Sequence, residues 1–180
     1  MQLKTSPSVL DRSQRDMKIL KHFPTQKDFV VHMNHVALEK KYNRIKTVED
    51  AYDSDYIKLS ELKIVYTEEA PLMLIESWIM QLALFLVLPV EKEQVRELAW
   101  LIYDDNHFLN MAEMTLLFTR IKKGHYGQFF GRIDPAEILR WCRDYRRERG
   151  HYVSRIPETY ESKTLREAKE EFNKTKNQQL

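Results

Sequence analysis

The chain has 180 residues, 43% hydrophobic and 31% charged, a balance that supports a buried core and excludes collagen-like and globally disordered chains. Four glycines and six prolines are too few for a turn-rich β sandwich, and the single cysteine, Cys142, excludes an internal disulfide and a zinc site built mainly from thiolates. The net charge of +2 hides an uneven distribution: residues 48–76 hold eight acids against Lys58 and Lys63, whereas residues 118–155 hold ten bases against four acids.

From the N-terminus, Leu10, Met17, Ile19 and Leu20 among charged residues predict a weakly patterned helix up to Phe23. After Pro24, Thr25 caps a helix with Asp28 at its third position, and Phe29, Val30, Met33, Val36 and Ala37 carry the apolar spacing toward Tyr42. Residues 43–69 are expected to be helix or irregular chain: Thr47 with Asp50 opens a helix, while Leu62, Ile64 and Tyr66 alternate like a short strand. Pro71 begins the most apolar stretch, residues 72–90. Glu76 and Gln81 inside it, and flanks without Lys/Arg asymmetry, favour a central buried helix over a membrane span.

Val95, Leu98, Ala99, Ile102 and Tyr103 share one face of the next helix, which Asn106 and His107 should end. Asn110 with Glu113 forms a capping box, and Met114, Leu117, Phe118 and Ile121 continue as a stripe to a stop at Gly124. Asp134, Pro135 and Glu137 open a further helix that buries Ile138, Leu139, Trp141, Cys142 and Tyr145 and is expected to end at Gly150. Beyond it the chain is polar, with Leu165, Ala168 and Phe172 as the apolar residues of a solvated helix or a tail that orders on a partner.

The expected fold is all-α, a compact helical bundle. It divides into a helical N-terminal region (1–70), partly irregular and acidic towards its end, a core helical domain (71–150), and a polar C-terminal helix or tail (151–180). A lone cysteine and no charged start followed by an apolar run point to a reducing, cytoplasmic setting.

Between the two best-capped helices, Gly124, Gly127 and Gly131 lie within eight residues and alternate with Tyr126, Phe129 and Phe130. Such a loop has special backbone positions and a defined shape. It is flanked by Lys122, Lys123, His125 and Arg132, and the following helix sets Arg140, Arg143 and Arg147 on one face with Arg146 alongside. Cations beside rings suit single-stranded nucleic acid, whose phosphates are neutralised while unpaired bases stack, or an acidic protein surface. The structural alternative is that the rings fold back onto the core and Asp144 and Glu148 pair with the arginines.

The run Ala112-Glu-Met-Thr-Leu-Leu-Phe-Thr-Arg-Ile-Lys-Lys-Gly-His-Tyr-Gly127, with Gly131-Arg-Ile-Asp134, Ile138-Leu-Arg-Trp141 and Tyr145-Arg-Arg-Glu-Arg149, resembles an uncharacterised all-helical family of bacterial phage and mobile-element proteins. That family is remotely similar to phage proteins that load or inhibit a replicative helicase. The resemblance, mainly over residues 72–149, implies a non-catalytic DNA-replication accessory or adaptor that contacts single-stranded DNA and a helicase or other replication protein. A protein-only interaction module is the alternative.

Other chemistry finds little footing. His32, His35 and Glu39 share a spacing that approaches a metal but lack His-Glu-x-x-His, and a solvated helix face is expected. Asp50, Asp53 and Asp55 lack the glycine and terminal glutamate of a calcium loop. Cys142 on an apolar face is expected to be buried and inert. There is no Gly-x-x-x-x-Gly-Lys-Ser/Thr loop for ATP and no Gly-x-Ser-x-Gly elbow, so neither an enzyme nor a cofactor is expected.

Overall fold

Capping residues set most of the helix boundaries. A computed structural model describes residues 9–54, 56–129 and 131–156, with side chains from residue 16 onward. Among them are nine helices: α1 (Val9–His22), α2 (Gln26–His32), α3 (His35–Lys41), α4 (Val48–Tyr52), α5 (Leu59–Val65), α6 (Ala70–Leu86), α7 (Lys92–Asn106), α8 (Met111–Lys122) and α9 (Pro135–Val153). The expected all-α bundle is what forms. Of the polar helix or tail expected over residues 151–180, residues 151–153 belong to α9 and residues 157–180 lie outside the described residues, as do Asp55 and Phe130.

Capping boxes close at Thr25/Asp28, Thr47/Asp50 and Asn110/Glu113. Leu62 and Ile64 lie in helix α5 and Tyr66 caps it, so the helix expected as one form of residues 43–69 is what occurs there, despite the strand-like alternation of these three residues. The helix expected to run from Thr25 to Tyr42 is two helices. Asn34 accepts from the Ala37 N–H and donates to the Val31 carbonyl, which stops α2 and starts α3. The core register shifts as a result: Val36 and Ala37 face solvent, and His35, Leu38 and Tyr42 turn inward. Gly150 does not end α9, which continues to Val153.

One apolar cluster extends from Phe29 to Tyr145, so residues on both sides of position 70 share a core. At its centre α6 buries Leu74, Ile75, Trp78, Ile79 and Leu82, and the Trp78 indole donates to the Met33 carbonyl at 3.0 Å. No helix among the described residues is long and apolar enough to cross a membrane.

Helix α6 ends on Val87, whose φ of 54° and ψ of 41° are left-handed; the Leu88 N–H reaches back to the Ala83 carbonyl at 3.0 Å, and Pro89 follows. Glycine is the usual residue at this position, and a β-branched one is strained there. The Val87 side chain is 88% exposed and recovers almost no packing. Val87→Gly is therefore expected to stabilise the fold by about 1 kcal/mol, seen as a higher urea midpoint at unchanged slope.

Two chain connections are bound to each other rather than to solvent. The N–H groups of Leu59, Ser60 and Met111 donate to the carbonyls of Leu109, His107 and Ile57 at 2.8 to 3.0 Å, joining the approach to α5 with the approach to α8. Asn110 completes the join: its Oδ1 accepts from Ala112 and Glu113 N–H, and its Nδ2 donates to the Ala51 and Ser54 carbonyls. Glu113, buried on α8, accepts from Asn110 N–H at 3.0 Å and from Arg149 Nε at 2.6 Å. The Arg149 guanidinium sits 4.7 Å from the Tyr52 ring centre and 4.9 Å from that of Phe108. Four segments of the chain meet at this ion pair.

Candidate interface for an anionic partner

Helix α8 leaves through a glycine turn: Gly124 has φ 69°, and the His125 N–H returns to the Arg120 carbonyl at 2.9 Å. Gly127 follows with φ 138°, and a Cβ there would meet the Trp141 ring at 3.6 Å, a tolerable contact. The backbone angle, more than space, calls for glycine. The turn lays Tyr126 over Trp141 with ring centres 6.5 Å apart and planes 23° apart, and sets Phe129 edge-on to Trp141 at 4.7 Å. Both rings are half-buried. His125 is exposed and packs edge-on to Tyr126. Arg120 donates to the Tyr126 hydroxyl at 3.4 Å and clasps Glu148 at 2.6 and 3.2 Å. Burial raises the Tyr126 hydroxyl pKa above its ordinary value, against the opposing pull of Arg120.

The cations picked out in the sequence separate into two groups. On α9, Arg140 pairs with Glu137 and lies 3.9 Å from Asp144; Arg147 pairs with Asp144 at 3.2 Å; Arg146 reaches the Asp105 carbonyl at 2.8 Å and its carboxylate at 3.0 Å. The acidic window meets the same helix, since Tyr152 donates to Asp53 at 2.9 Å and Arg155 approaches Glu49 at 3.7 Å. The basic helix is thus largely neutralised by α4, α7 and its own turn. Arg132 and Arg143 are exposed and have no ion pair among the described residues.

The other group lies at the end of α8. Lys122 Nζ bonds Glu39 of α3 at 2.7 Å and stands 4.6 Å over the Phe85 ring centre, while exposed Lys123 has no ion pair among the described residues. Beside it a cleft of about 150 Å³ opens, lined by Glu39, Tyr42, Asn43, Lys46, Thr115, Thr119 and Lys123. Lys46 is a residue the sequence analysis did not select. It closes a run in which Lys40, Lys41, Arg44 and Lys46 follow within seven residues, just before the acidic stretch that starts at Val48. Lys41 lies over the Tyr42 and Tyr56 rings.

Among the charged side chains that line the cleft, Lys46 and Lys123 stand against Glu39, which Lys122 already pairs. The C-terminal ends of α3 and α8 add about half a negative charge each, so cations still outnumber what they need to satisfy. Burial opposes ionisation of Glu39, but the Lys122 hydrogen bond and charge prevail and its pKa lies below the ordinary value.

His35 underlies the cleft and is not on a solvated face: it is 2% exposed, with ring centres of Trp78 at 5.5 Å and Phe118 at 5.9 Å. Its Nε2 lies 3.4 Å from both the Thr115 carbonyl oxygen and Thr119 Oγ1. His32 belongs to the preceding helix and bonds the Asp28 carbonyl. No group of three metal-ligating side chains occurs among the described residues. Burial, then the nearby Lys122 charge, lower the His35 pKa from 6.5 to about 4. The unfolded chain binds a proton here between those values and the folded chain does not, so the stability from neutral His35 is complete above pH 6.5 and lost as pH falls toward 4. His35→Gln is expected to remove about 3 kcal/mol from the stability difference between pH 7 and pH 4, measured by urea unfolding at both.

Burial also pushes the Cys142 thiol up to about 12, the condition of an inert, protonated sulfur at neutral pH. Residues 87–170 match the model of a family of unknown function, DUF6633, which takes in α7, α8, the glycine hairpin and α9. The match leaves residues 40–46 outside. No curated protein and no solved structure matches the chain.

Proposed function

We propose that the protein is a non-catalytic adaptor that binds single-stranded DNA through the cationic cleft between the ends of α3 and α8, serving replication of a phage or mobile element. A helicase or other replication protein in the cytoplasm is its second partner, as the resemblance in residues 72–149 implies. The observation that carries the DNA contact is the convergence of Lys46 and Lys123 on one cleft, with Lys40, Lys41 and Arg44 in the adjoining chain. His125, exposed next to Tyr126, adds a ring within reach of a strand passing along this end. The neutralised arginines of α9 are not needed for this contact.

Labelled oligo-dT is expected to bind at low salt, followed by fluorescence anisotropy. Lys46→Glu with Lys123→Glu should weaken binding by at least about tenfold and reduce the salt slope by about 1.4, the value for two lost phosphate contacts on a single strand. Arg147→Glu, whose cation already serves Asp144, should change it far less. Absence of binding at low salt, or a double reversal without effect, would leave the second reading: a protein-only interaction module. That reading is favoured by the pairing of the α9 arginines and by apolar residues standing out at the end of α6.

A further inference from the structure

The cleft beside Lys123 is small and mixed in character. Its volume of about 150 Å³ equals that of an engineered protein cavity that takes up benzene, and falls below the roughly 300–1,000 Å³ of pockets that enclose a drug-sized ligand. One six-membered ring fills it, and the second ring of a purine would not enter. Ile45, Leu116 and Ala112 offer apolar contact for the faces of such a ring. Polar groups are set among them: Glu39 of α3, Asn43 just beyond that helix, and Thr119 of α8.

Glu39 decides what kind of ring fits. A carboxylate in the lining repels phosphate from the interior, while Lys46 and Lys123, both exposed, suit phosphates outside it. Burial works against ionisation of Glu39, yet the hydrogen bond and charge of Lys122 keep its carboxyl below the ordinary pKa, so at neutral pH it accepts and does not donate. Lys122 takes Oε2 at 2.7 Å, and a carboxylate has further lone pairs on its other oxygen. Cytosine presents an N4 amino group, the donor that Glu and Asp side chains accept from, whereas thymine carries a carbonyl oxygen at that position. The one donor of thymine, N3–H, lies between two carbonyl oxygens, so its approach brings a lone pair against the carboxylate.

We infer that the cleft takes up one unpaired cytosine base of a DNA strand, with Glu39 accepting from its N4 amino group and Lys46 and Lys123 meeting the phosphates on either side. This rests on the proposal that the cleft binds single-stranded DNA, and adds the base that the site selects.

The test uses the full chain and labelled oligo-dT strands of about 12 nucleotides that differ at one central position, which holds thymine, cytosine, adenine or an abasic site. The cytosine strand is expected to bind about tenfold more tightly than the all-thymine strand and to shift the methyl resonances of Ile45 and Leu116, while adenine and the abasic site bring no gain. Glu39→Gln, whose amide oxygen still accepts from Lys122, should cut the cytosine preference below about threefold yet raise the affinity for oligo-dT, because a negative charge near the phosphates is gone. A substitution that merely unsettled the fold would lower both.

The inference is overturned if all four strands bind alike, if adenine gains as much as cytosine, or if Glu39→Gln leaves the cytosine preference intact. Displacement of the cytosine strand by an equal concentration of free deoxycytidine would also overturn it, since the cleft would then be a nucleoside site. Binding without base preference removes this inference alone, whereas failure of every strand to bind at low salt removes the DNA reading and this inference with it.

Discussion

Glu113→Ala is expected to cost about 3–5 kcal/mol and to bring the melting transition close to ambient temperature, since it leaves the Arg149 guanidinium partly buried without its carboxylate. The loss exceeds that of an ordinary ion pair for two reasons. Glu113 also closes the capping box of α8 by accepting from Asn110 N–H, and Arg149 is held between Tyr52 and Phe108 from two other segments. One carboxylate therefore supports a helix start and a four-segment junction. Combining Glu113→Ala with Arg149→Met should recover part of the loss, because the uncompensated cation disappears with its partner. Urea unfolding of the four chains measures the coupling, and strictly additive losses would show that the two side chains act separately.

Trp141→Ala is expected to be of similar severity, about 3–5 kcal/mol, because a fully buried indole leaves a large cavity between α9 and the glycine hairpin. Its second effect is local. Tyr126 and Phe129 both pack on this ring, so the hairpin loses its platform and the amides near Gly127 should exchange with solvent far faster than in the parent chain. Trp141→Phe tests the cause: the indole Nε1 has no hydrogen-bond partner among the described residues, so phenylalanine gives up volume alone and should retain much of the stability and the slow exchange. Equal losses in the two variants would assign the effect to the part of the indole that a phenyl ring does not replace.

The helices whose ends carry complete local signals were legible from sequence. Asn110 with Glu113 and Thr25 with Asp28 satisfy backbone donors within four residues, and at Asp134 the carboxylate takes the Ala136 N–H while Pro135 has none to satisfy, so no distant chain is needed to read them. The break at Asn34 was not legible. Asparagine is an acceptable helix residue, and its two backbone bonds, one backward and one forward, turn it into a divider once Trp78 holds the Met33 carbonyl. That break decided the fate of His35, which periodicity placed in solvent and the fold places among rings.

The candidate site was legible in part. Lys122, Lys123 and His125 were found because a glycine turn draws attention to its flanks, while Arg140, Arg143 and Arg147 stood out by helical spacing, with Arg146 alongside. Spacing gives a face but not what covers it: Asp105 reaches Arg146 from 41 positions away, and Glu39 reaches Lys122 from 83. Lys46 was missed because its meeting with Lys123 is tertiary, set by the packing of α3 on α8.

The junction at Asn110 also bears on which part of the chain stands alone. Within the stretch that matches the family model, the start of α8 depends on residues 51–60, since the Asn110 amide, the Met111 N–H and the Leu109 carbonyl all find their partners there. Excised from the rest, that stretch would present unsatisfied donors and a bare apolar wall where α4 and α6 now lie. Modular shuffling of it between unrelated chains would succeed only with a replacement for that missing half.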